Sequence, residues 1–419
     1  MHIVLANQWF PPESGRGGVA AYNHQVARAY GALGHVVTVI ASRTSAQIPA
    51  RVETEGIRVH RLLVKDAYRW RRLPGIGRYV REAQQLAYAR RVDAALRALH
   101  HERPIDVVEF AEVNAEGFFY ARNPQSPVVV RCHTPNFVLK RYYKPREMPF
   151  DVRVIGACEK DMIRRAHALT APSHDMARVI ANECGISEDS ITVIPNALSI
   201  DQFSISPNHP TTQLPNYPTT QLPNYLTILH VGRLERVKGI FVLADAIPPI
   251  LQQVPHARFV FVGEDRPTGR SASQRAELEA QFTRAGVRSS VEFTDAVDEA
   301  TLLDWYCRAG ICVVPSLLYE SFSYTCAQAM AAGKPVVASR IGGIPETVDD
   351  GVNGIIVTPG NVEQLTEGIV RLALDPALRA RMGRAGRAKA EREFDSLQVA
   401  RRNLQVYERA AHTFGPATS

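Results

Sequence analysis

The chain has 419 residues, 45% of them hydrophobic, and a formal net charge of +7 at pH 7. This length suits two or three domains, and no window approaches the roughly 18 apolar residues of a membrane-spanning helix. The N-terminal stretch MHIVLANQWFPP is typical of a first strand and lacks the features of a signal peptide. The six cysteines form no Cys-x-x-Cys pair, which favours a reduced, cytoplasmic protein.

The excess positive charge lies in the first half of the chain, where residues 1–200 hold 27 Lys and Arg against 19 Asp and Glu. Two segments, 68–81 and 140–144, interleave basic with aromatic residues. This composition suits an anionic membrane surface. It also fits nucleic acid or an ordinary solvated basic face. On the membrane interpretation, the protein attaches peripherally to the inner face of a membrane.

Strand and helix patterns alternate along both halves of the chain. In the first half, apolar and β-branched runs predict strands at 2–7, 35–42, 58–64, 105–110 and 127–133, with helices at 20–33 and 82–101. In the second half they predict strands at 226–232, 257–263, 291–295, 311–315 and 335–339, with helices at 242–253 and 274–285. This alternation is typical of βαβ units, so we expect two doubly wound α/β domains with a ligand cleft between them.

The boundary between the halves is marked by a repeat. The octapeptide PTTQLPNY occurs twice in tandem, at 210–217 and 218–225. A Pro-rich stretch of this kind cannot build a core and predicts an exposed linker. The predicted organisation is an N-terminal domain (1–200), a linker (201–225), a second domain (226–395) and a C-terminal helical segment (396–419).

The stretch 315–339, PSLLYESFSYTCAQAMAAGKPVVAS, carries the most specific signal in the sequence. It predicts a turn after a buried strand and then a helix that opens near Ser321. Glu320 lies at this junction, where free backbone N–H groups and the helix dipole attract anions. A carboxylate beside an anion site suits the binding of hydroxyl groups next to a phosphate, and a sugar diphosphate presents both.

This stretch resembles the signature of the retaining GT-B glycosyltransferases of the group 1, or family-four, glycogen-synthase-like type. Their pattern is a Glu, a small-Phe-small turn, a second Glu eight positions after the first, and Ala-Met-Ala-x-Gly-x-Pro-Val-Val. The resemblance implies a GT-B fold, in which two Rossmann-like domains face an interdomain cleft. It also implies that the C-terminal segment 396–419 packs back on the first domain.

The segment HVGRLERVKGI (230–240) follows a predicted strand and supplies Gly232, Arg233 and Lys238. Two cations after a strand suit a diphosphate, and in the family the matching Arg and Lys stabilise the departing diphosphate. By the same resemblance, Glu320 contacts hydroxyls of the transferred sugar.

The resemblance assigns further donor contacts in the second domain. The backbone N–H groups of Phe322, Ser323 and Tyr324 face the donor. Gly263 ends a strand that approaches the nucleotide base.

Gln328 stands where the family has its second, ribose-binding Glu. A Gln can accept one hydroxyl hydrogen bond and donate another, but it loses the charge-assisted bond. Three interpretations follow: weaker donor binding, an altered donor or a degenerate site. Because Arg233, Lys238 and Glu320 are all present, retained binding is favoured.

The resemblance also assigns residues in the first domain. His133, after a predicted strand, matches a His that lines the cleft near the donor sugar, although a structural His is the alternative. Gly17 and Gly18 match a Gly pair that borders the phosphates, although they also suit a tight turn. Glu112 and Glu116 are possible acceptor-side bases, but isolated surface glutamates are the favoured interpretation.

The function that the resemblance implies is transfer of a hexose from a nucleoside diphosphate sugar, with retention of configuration, to a lipid-linked or saccharide acceptor. Synthesis of a surface polysaccharide or glycolipid is the expected setting, and no nucleic-acid partner is expected. The sequence shows no Asp-x-Asp or metal-ligand cluster, so we expect no metal or other cofactor. The alternatives are a synthase with a small soluble acceptor and a non-catalytic nucleotide-sugar-binding protein.

Overall fold

The computed structural model describes residues 1–11, 17–64, 77–139, 150–203, 225–265 and 273–415. Internal contacts divide the chain into two compact units, which we call unit 1 (Met1–Ala197 and Ser396–Ser419) and unit 2 (Leu198–Asp395). Segment 140–144, most of 68–81 and nearly all of 201–225 lie outside the described residues. The membrane and linker assignments made for them therefore stay predictions.

Unit 1 is built on an eight-stranded sheet with the order β3-β4-β2-β1-β5-β6-β7-β8. Neighbouring strands are parallel except β3 and β4, which pair antiparallel at one edge. The strands are β1 (His2–Ala6), β2 (Val36–Arg43), β3 (Arg51–Thr54), β4 (Ile57–Leu63), β5 (Val107–Ala111), β6 (Val128–Arg131), β7 (Ala168–Ala171) and β8 (Ile191–Val193). Strands β1, β5 and β6 are buried along their whole length, as expected for the centre of a parallel sheet covered on both faces.

Helices connect the strands of unit 1: α1 (Gly18–Ala32), α2 (Gly77–Glu102), α3 (Asn136–Leu139), α4 (Phe150–Arg165) and α5 (His174–Cys184). Local sequence sets the ends of α5. The Ser173 side chain accepts a hydrogen bond from the N–H of Met176 at 3.2 Å, and Gly185 ends the helix with φ of 65°.

Unit 2 is built on a six-stranded parallel sheet with the order β11-β10-β9-β12-β13-β14. The strands are β9 (Leu226–Val231), β10 (Ala257–Val262), β11 (Val291–Thr294), β12 (Ile311–Val314), β13 (Val336–Ser339) and β14 (Gly354–Val357). The helices are α6 (Ile240–Gln253), α7 (Gln274–Arg284), α8 (Glu299–Arg308), α9 (Tyr324–Ala331), α10 (Ile344–Thr347), α11 (Val362–Leu374) and α12 (Pro376–Glu393). Hydrophobic clusters of buried residues cover both faces of this sheet.

The last helix, α13 (Ser396–Thr413), belongs to unit 1 and packs against α1. A buried polar network joins it to the sheet. The Tyr407 hydroxyl donates to Glu109 Oε2 at 2.6 Å and lies 2.8 Å from the Tyr30 hydroxyl. Asn403 Nδ2 donates to the same Tyr30 hydroxyl at 2.8 Å. Because the Tyr30 and Tyr407 hydroxyls, the Glu109 carboxyl and the Asn403 amide nitrogen are paired in this network, α13 is fixed by hydrogen bonds as well as by apolar contact.

The prediction of two doubly wound α/β domains is confirmed, but the sequence patterns missed the edge strands β3, β8 and β14 and also β7, which pairs between β6 and β8. These strands have three or four residues each. Runs this short carry little periodicity, and their pairing depends on a neighbouring strand that is distant in sequence. The strongly apolar central strands, by contrast, lie within one or two residues of the predicted bounds.

Each sheet contains a point at which the strand order reverses. It lies between β1 and β5 in unit 1 and between β9 and β12 in unit 2. Ligands of doubly wound sheets bind outside the carboxyl ends of the strands at this switch point. A functional site is therefore expected among the residues that follow these strands.

Candidate functional site

The switch point of unit 2 brings a lysine and a glutamate into contact. Lys238 lies in the turn between β9 and α6, and Glu320 lies between β12 and α9. Lys238 Nζ donates to Glu320 Oε1 at 2.7 Å, and the two side chains are 28% and 15% exposed. The pair is therefore reachable by a ligand while being partly shielded from water.

Glu320 is held in place from two sides. The hydroxyl of buried Ser316 donates to Glu320 Oε1 at 2.8 Å, so this oxygen serves both Ser316 and Lys238. The backbone carbonyl of Glu320 accepts the N–H of Gly343 at 2.8 Å. Gly342 has φ of +55°, and a Cβ there would lie 2.2 Å from the Glu320 carbonyl oxygen. A glycine is therefore required at 342 for this approach.

Arg233 lies at the end of β9 but has a different partner. Its Nη1 forms an ion pair with Glu235 Oε1 at 2.8 Å, and half of its side chain is exposed. The preceding residue, Gly232, lies in backbone contact with Gly263, because a Cβ on Gly263 would come within 2.0 Å of the Gly232 carbonyl oxygen. The loops after β9 and β10 therefore approach more closely than a side chain on Gly263 would permit.

Helix α9 starts at Tyr324, four residues after Glu320. Ser323 is its N-cap and accepts a hydrogen bond from the N–H of Cys326 at 3.3 Å. Phe322 is buried and packs edge-on against the rings of Tyr324 and Phe394, with centroids 5.4 Å away in each case. These aromatic contacts fix the turn that carries Glu320 into the helix.

Gln328 lies one turn along α9 from Tyr324. The hydroxyl of Tyr306, a buried residue of α8, donates to Gln328 Oε1 at 3.0 Å. Burial raises the pKa of Tyr306 well above its ordinary value, so this hydroxyl stays protonated and acts as the donor. With its oxygen held in this way, Gln328 has its amide N–H groups to offer to a ligand.

In unit 1, His133 follows β6, and its side chain is buried. The ring packs edge-on against Tyr22 of α1, with centroids 5.2 Å apart. Burial, with the Arg131 guanidinium as a second cause, holds the pKa of His133 well below its usual range. The imidazole is therefore neutral, and it can exchange hydrogen bonds but cannot act as a fixed cation.

The glycine pair lies at the start of α1. Gly17 is the N-cap residue, with φ of 152°, and Gly18 is the first helical residue. Among the described residues, no atom lies within 4 Å of a Cβ placed on Gly17. Residues 12–16 lie outside the described residues, so the roles of Gly17 and Gly18 toward a donor stay predictions.

Two family models match this chain. One, described as glycosyl transferases group 1, matches residues 225–375, and the other, a glycosyl transferase 4-like domain, matches residues 17–197. A D-inositol 3-phosphate glycosyltransferase of Xylanimonas cellulosilytica is 31% identical over 409 residues, which cover 96% of this chain and 93% of that protein. The chain belongs to the group 1 glycosyltransferases.

Solved structures show the same GT-B fold. Sucrose-phosphate synthase from Thermosynechococcus elongatus superposes with a TM-score of 0.80 at 23% identity, covering 98% of this chain and 99% of that one. The Anabaena HepE protein in complex with UDP gives a TM-score of 0.72 at 22% identity, covering 97% and 100%. The GT-B expectation drawn from the signature at 315–339 is thereby confirmed.

For this glycosyltransferase, one interpretation of the sequence is wrong. Glu112 and Glu116 are not surface residues: they are 0% and 1% exposed. Glu112 Oε2 accepts the N–H of His133 at 2.8 Å, and both oxygens of Glu116 face the N–H of Gln8, the nearer at 3.0 Å. Isolated glutamates look like surface residues in a sequence, because backbone partners so distant in sequence leave no local pattern.

Sequence reasoning also missed Ser316, Tyr306 and Gly342. Ser316 and Gly342 help to place Glu320, and Tyr306 donates a hydrogen bond to Gln328. The signature had identified both Glu320 and Gln328. Ser316 lies within the signature at 315–339 and Gly342 lies three residues beyond it, so their place in this stretch could have indicated them. Tyr306 lies 22 residues before Gln328 and carried no such signal.

None of the helices in the described ranges combines the length and apolarity that crossing a membrane requires. In the same ranges, no three His, Cys, Asp or Glu side chains are grouped as the ligands of a metal ion would be.

Proposed function

We propose that the protein transfers a hexose from a nucleoside diphosphate sugar and retains the anomeric configuration. The observation that carries this proposal is the contact of Lys238 with Glu320 at the switch point of unit 2. A cation suits a diphosphate, and a carboxylate suits sugar hydroxyls. A nucleoside diphosphate sugar carries a diphosphate next to sugar hydroxyls, and the site places a cation next to a carboxylate in the same way.

Donor binding would exchange the partners within this site. Without a ligand, Lys238 and Arg233 pair with Glu320 and Glu235. On donor binding, both cations would pair with the diphosphate instead. Glu320 Oε1 keeps the hydrogen bond from Ser316, and Oε2 is offered to a hydroxyl of the sugar. As the bond between the anomeric carbon and the diphosphate breaks, the two cations stabilise the leaving group.

The roles of the remaining residues follow from their charge state. Gln328 would donate its amide N–H groups to a ribose hydroxyl, and neutral His133 would exchange hydrogen bonds with the sugar. We propose front-face substitution, in which the acceptor hydroxyl attacks from the side that the diphosphate leaves. Its proton then passes to the departing phosphate oxygen. We propose that the reaction needs no metal, because cationic side chains and helix N-termini supply the positive charge.

Two acceptor classes are supported by different observations. The basic segments 68–81 and 140–144 support a lipid-linked or saccharide acceptor at a membrane face, as in the synthesis of a surface polysaccharide or glycolipid. The relative from Xylanimonas, whose name gives D-inositol 3-phosphate as its substrate, supports a small soluble acceptor. Its match over nearly the whole length of both chains makes the soluble acceptor the stronger candidate.

The decisive experiment measures nucleotide diphosphate release from UDP-, GDP-, ADP- and TDP-sugars, in EDTA, for wild type and Lys238→Ala. We expect one donor to be hydrolysed slowly by the wild type and the rate to fall about 10²–10³-fold in the variant. Arg284→Ala, which removes an exposed cation at the end of α7, is the matched control and should keep the wild-type rate. Equal rates for wild type and Lys238→Ala would contradict the proposal.

The same preparation separates the acceptor classes and the alternatives. Inositol 3-phosphate should accelerate release if the acceptor is small and soluble. Anionic vesicles at low salt should bind the protein if the acceptor is lipid-linked. The anomeric proton coupling in the product's NMR spectrum tests retention. Tight nucleotide binding without release against every acceptor would indicate a non-catalytic binding protein.

A further inference from the structure

A buried carboxylate lies behind the backbone of His133. Glu112 directly follows β5, and its N–H donates to the carbonyl of Arg131 at 3.2 Å, which continues the pairing of β5 with β6. Its carboxylate turns toward the segment after β6, where Oε2 accepts the N–H of His133 at 2.8 Å. The N–H of Thr134 also stabilises this carboxylate. Glu112 is fully buried, so neither solvent nor a ligand competes for these bonds.

The chain around Glu112 is itself strained. Asn114 and Ala115 have φ of 63° and 52°, a region that residues with a side chain rarely adopt. Such strain persists where the surrounding structure over-determines the backbone, and it concentrates at functional sites. The constraint here comes from Glu159 of α4, whose Oε1 accepts the N–H of Asn114 at 3.0 Å and Nδ2 of Asn136 at 2.6 Å.

The loops that follow β5 and β6 are thus joined twice by buried carboxylates. Glu112 reaches from the first loop to the second, and Glu159 bonds to both. Both loops emerge at the carboxyl edge of the sheet, where ligands of this fold bind. A buried N–H group that loses its acceptor is costly to leave unsatisfied, so these carboxyl groups determine where the second loop lies.

We propose that Glu112 is a positioning residue that fixes His133 for the transfer reaction through the backbone N–H groups of His133 and Thr134. This inference rests on the proposed function, because it assigns His133 a contact with the donor sugar. Glu112 itself touches no substrate, since it is buried behind the loop. Its contribution therefore depends on accepting hydrogen bonds and should be reproduced by any side chain of equal length that can accept them.

Two nearly isosteric variants separate this role from simple packing. Glu112→Gln keeps an oxygen that can accept the His133 N–H, whereas Glu112→Met keeps length and volume without an acceptor. In the donor-release assay we expect Glu112→Gln to stay within a few-fold of wild type and Glu112→Met to fall about 10²-fold, as misplacement of a reacting group by about 1 Å would cause. Affinity for the free nucleotide diphosphate should be unchanged, because the side chains proposed to bind it belong to unit 2.

A double-mutant cycle tests whether Glu112 acts through His133. If it does, Glu112→Met should cost little once His133 is replaced by Ala, so the double variant should match His133→Ala within about threefold. Fully additive losses would overturn the inference. A loss in Glu112→Gln as large as that in Glu112→Met would overturn it as well, because the acceptor role would then be irrelevant.

Amide hydrogen exchange tests whether Glu112 holds the backbone at His133 and Thr134, and this test does not depend on catalytic activity. Exchange at His133 and Thr134 should be at least about tenfold faster in Glu112→Met than in wild type and Glu112→Gln. Glu116→Met is the matched control, because it removes an equally buried carboxylate that holds Gln8 instead. A wild type that releases no nucleotide would contradict the proposed function alone, whereas equal exchange in wild type and Glu112→Met would overturn the positioning.

Discussion

The two units place charge differently at the carboxyl ends of their sheets. In unit 2 the charged side chains are partly exposed and pair with one another: Lys238 with Glu320, and Arg233 with Glu235. In unit 1 three carboxylates are completely buried, and their oxygens accept backbone and amide N–H groups of the neighbouring loops. These are Glu112, Glu116 and Glu159.

This difference separates two tasks. Ion pairs that are partly exposed can exchange partners when a ligand brings its own charges. Without a ligand, such pairs contribute little to the free energy of folding. Buried carboxylates cannot exchange partners without leaving a charge or a donor unsatisfied, so they fix the backbone instead. We infer that unit 2 recognises the donor through its side chains, whereas unit 1 presents a loop geometry that buried glutamates maintain.

The largest expected effect concerns the pH dependence of stability in unit 1. Burial raises the pKa of Glu116 to about 8 from an ordinary value near 4.5, against the opposing effect of the Gln8 N–H. The unfolded chain therefore loses this proton at lower pH than the folded one. Its contribution to stability is complete below about pH 4.5 and declines as the pH rises toward 8.

Glu116→Gln removes this titration while keeping an oxygen for Gln8. Relative to wild type, the variant should become more stable as the pH rises from 5 to 8, by at most about 1.4 kcal/mol per pH unit. Urea unfolding at several pH values measures the difference. A difference in unfolding free energy that stays constant with pH would show that Glu116 does not titrate in this range.

The second effect concerns the exchangeable charges of unit 2. Glu320→Gln removes the charge that pairs with Lys238 and binds a sugar hydroxyl, so kcat/KM for donor release should fall about 10²–10³-fold. Glu277→Gln is the matched control, since Glu277 forms an exposed ion pair with Arg236 that is worth at most about 1 kcal/mol. Wild-type activity in Glu320→Gln would exclude Glu320 from the donor site.

The third effect concerns the docking of α13 on unit 1. Tyr407→Phe removes the hydroxyl that donates to buried Glu109, whose pKa burial already raises. Leaving this carboxyl with one donor fewer should lower the free energy of unfolding by about 1–3 kcal/mol. Tyr225→Phe, at a partly exposed tyrosine of unit 2, should change it by less than about 0.5 kcal/mol. Equal unfolding midpoints for the two variants would contradict the assigned role of the network.

The same contrast explains what the sequence could predict. The Lys238–Glu320 contact joins residues 82 apart, but each lies in a loop after an apolar strand and within a recognisable stretch of sequence. Glu116 and Gln8 are 108 residues apart, and neither stands in any pattern. Their contact exists because β1 and β5 are neighbours in the sheet, so it depends on strand order, which local periodicity does not contain.

The smallest expected effect concerns the departure from the family signature. Gln328→Glu restores the residue that the family uses at this position, and the Tyr306 hydroxyl can donate to the new carboxylate as it does to the amide oxygen. A charge-assisted hydrogen bond to the ribose is worth roughly 0.5–2 kcal/mol more than a neutral one. The nucleotide diphosphate should therefore bind about 2–30-fold more tightly, as calorimetry can measure. Tyr306→Phe should weaken binding slightly in the wild-type background, because it frees the Gln328 amide to rotate. Unchanged affinity in Gln328→Glu would place the ribose away from residue 328 and would remove this residue from the donor site.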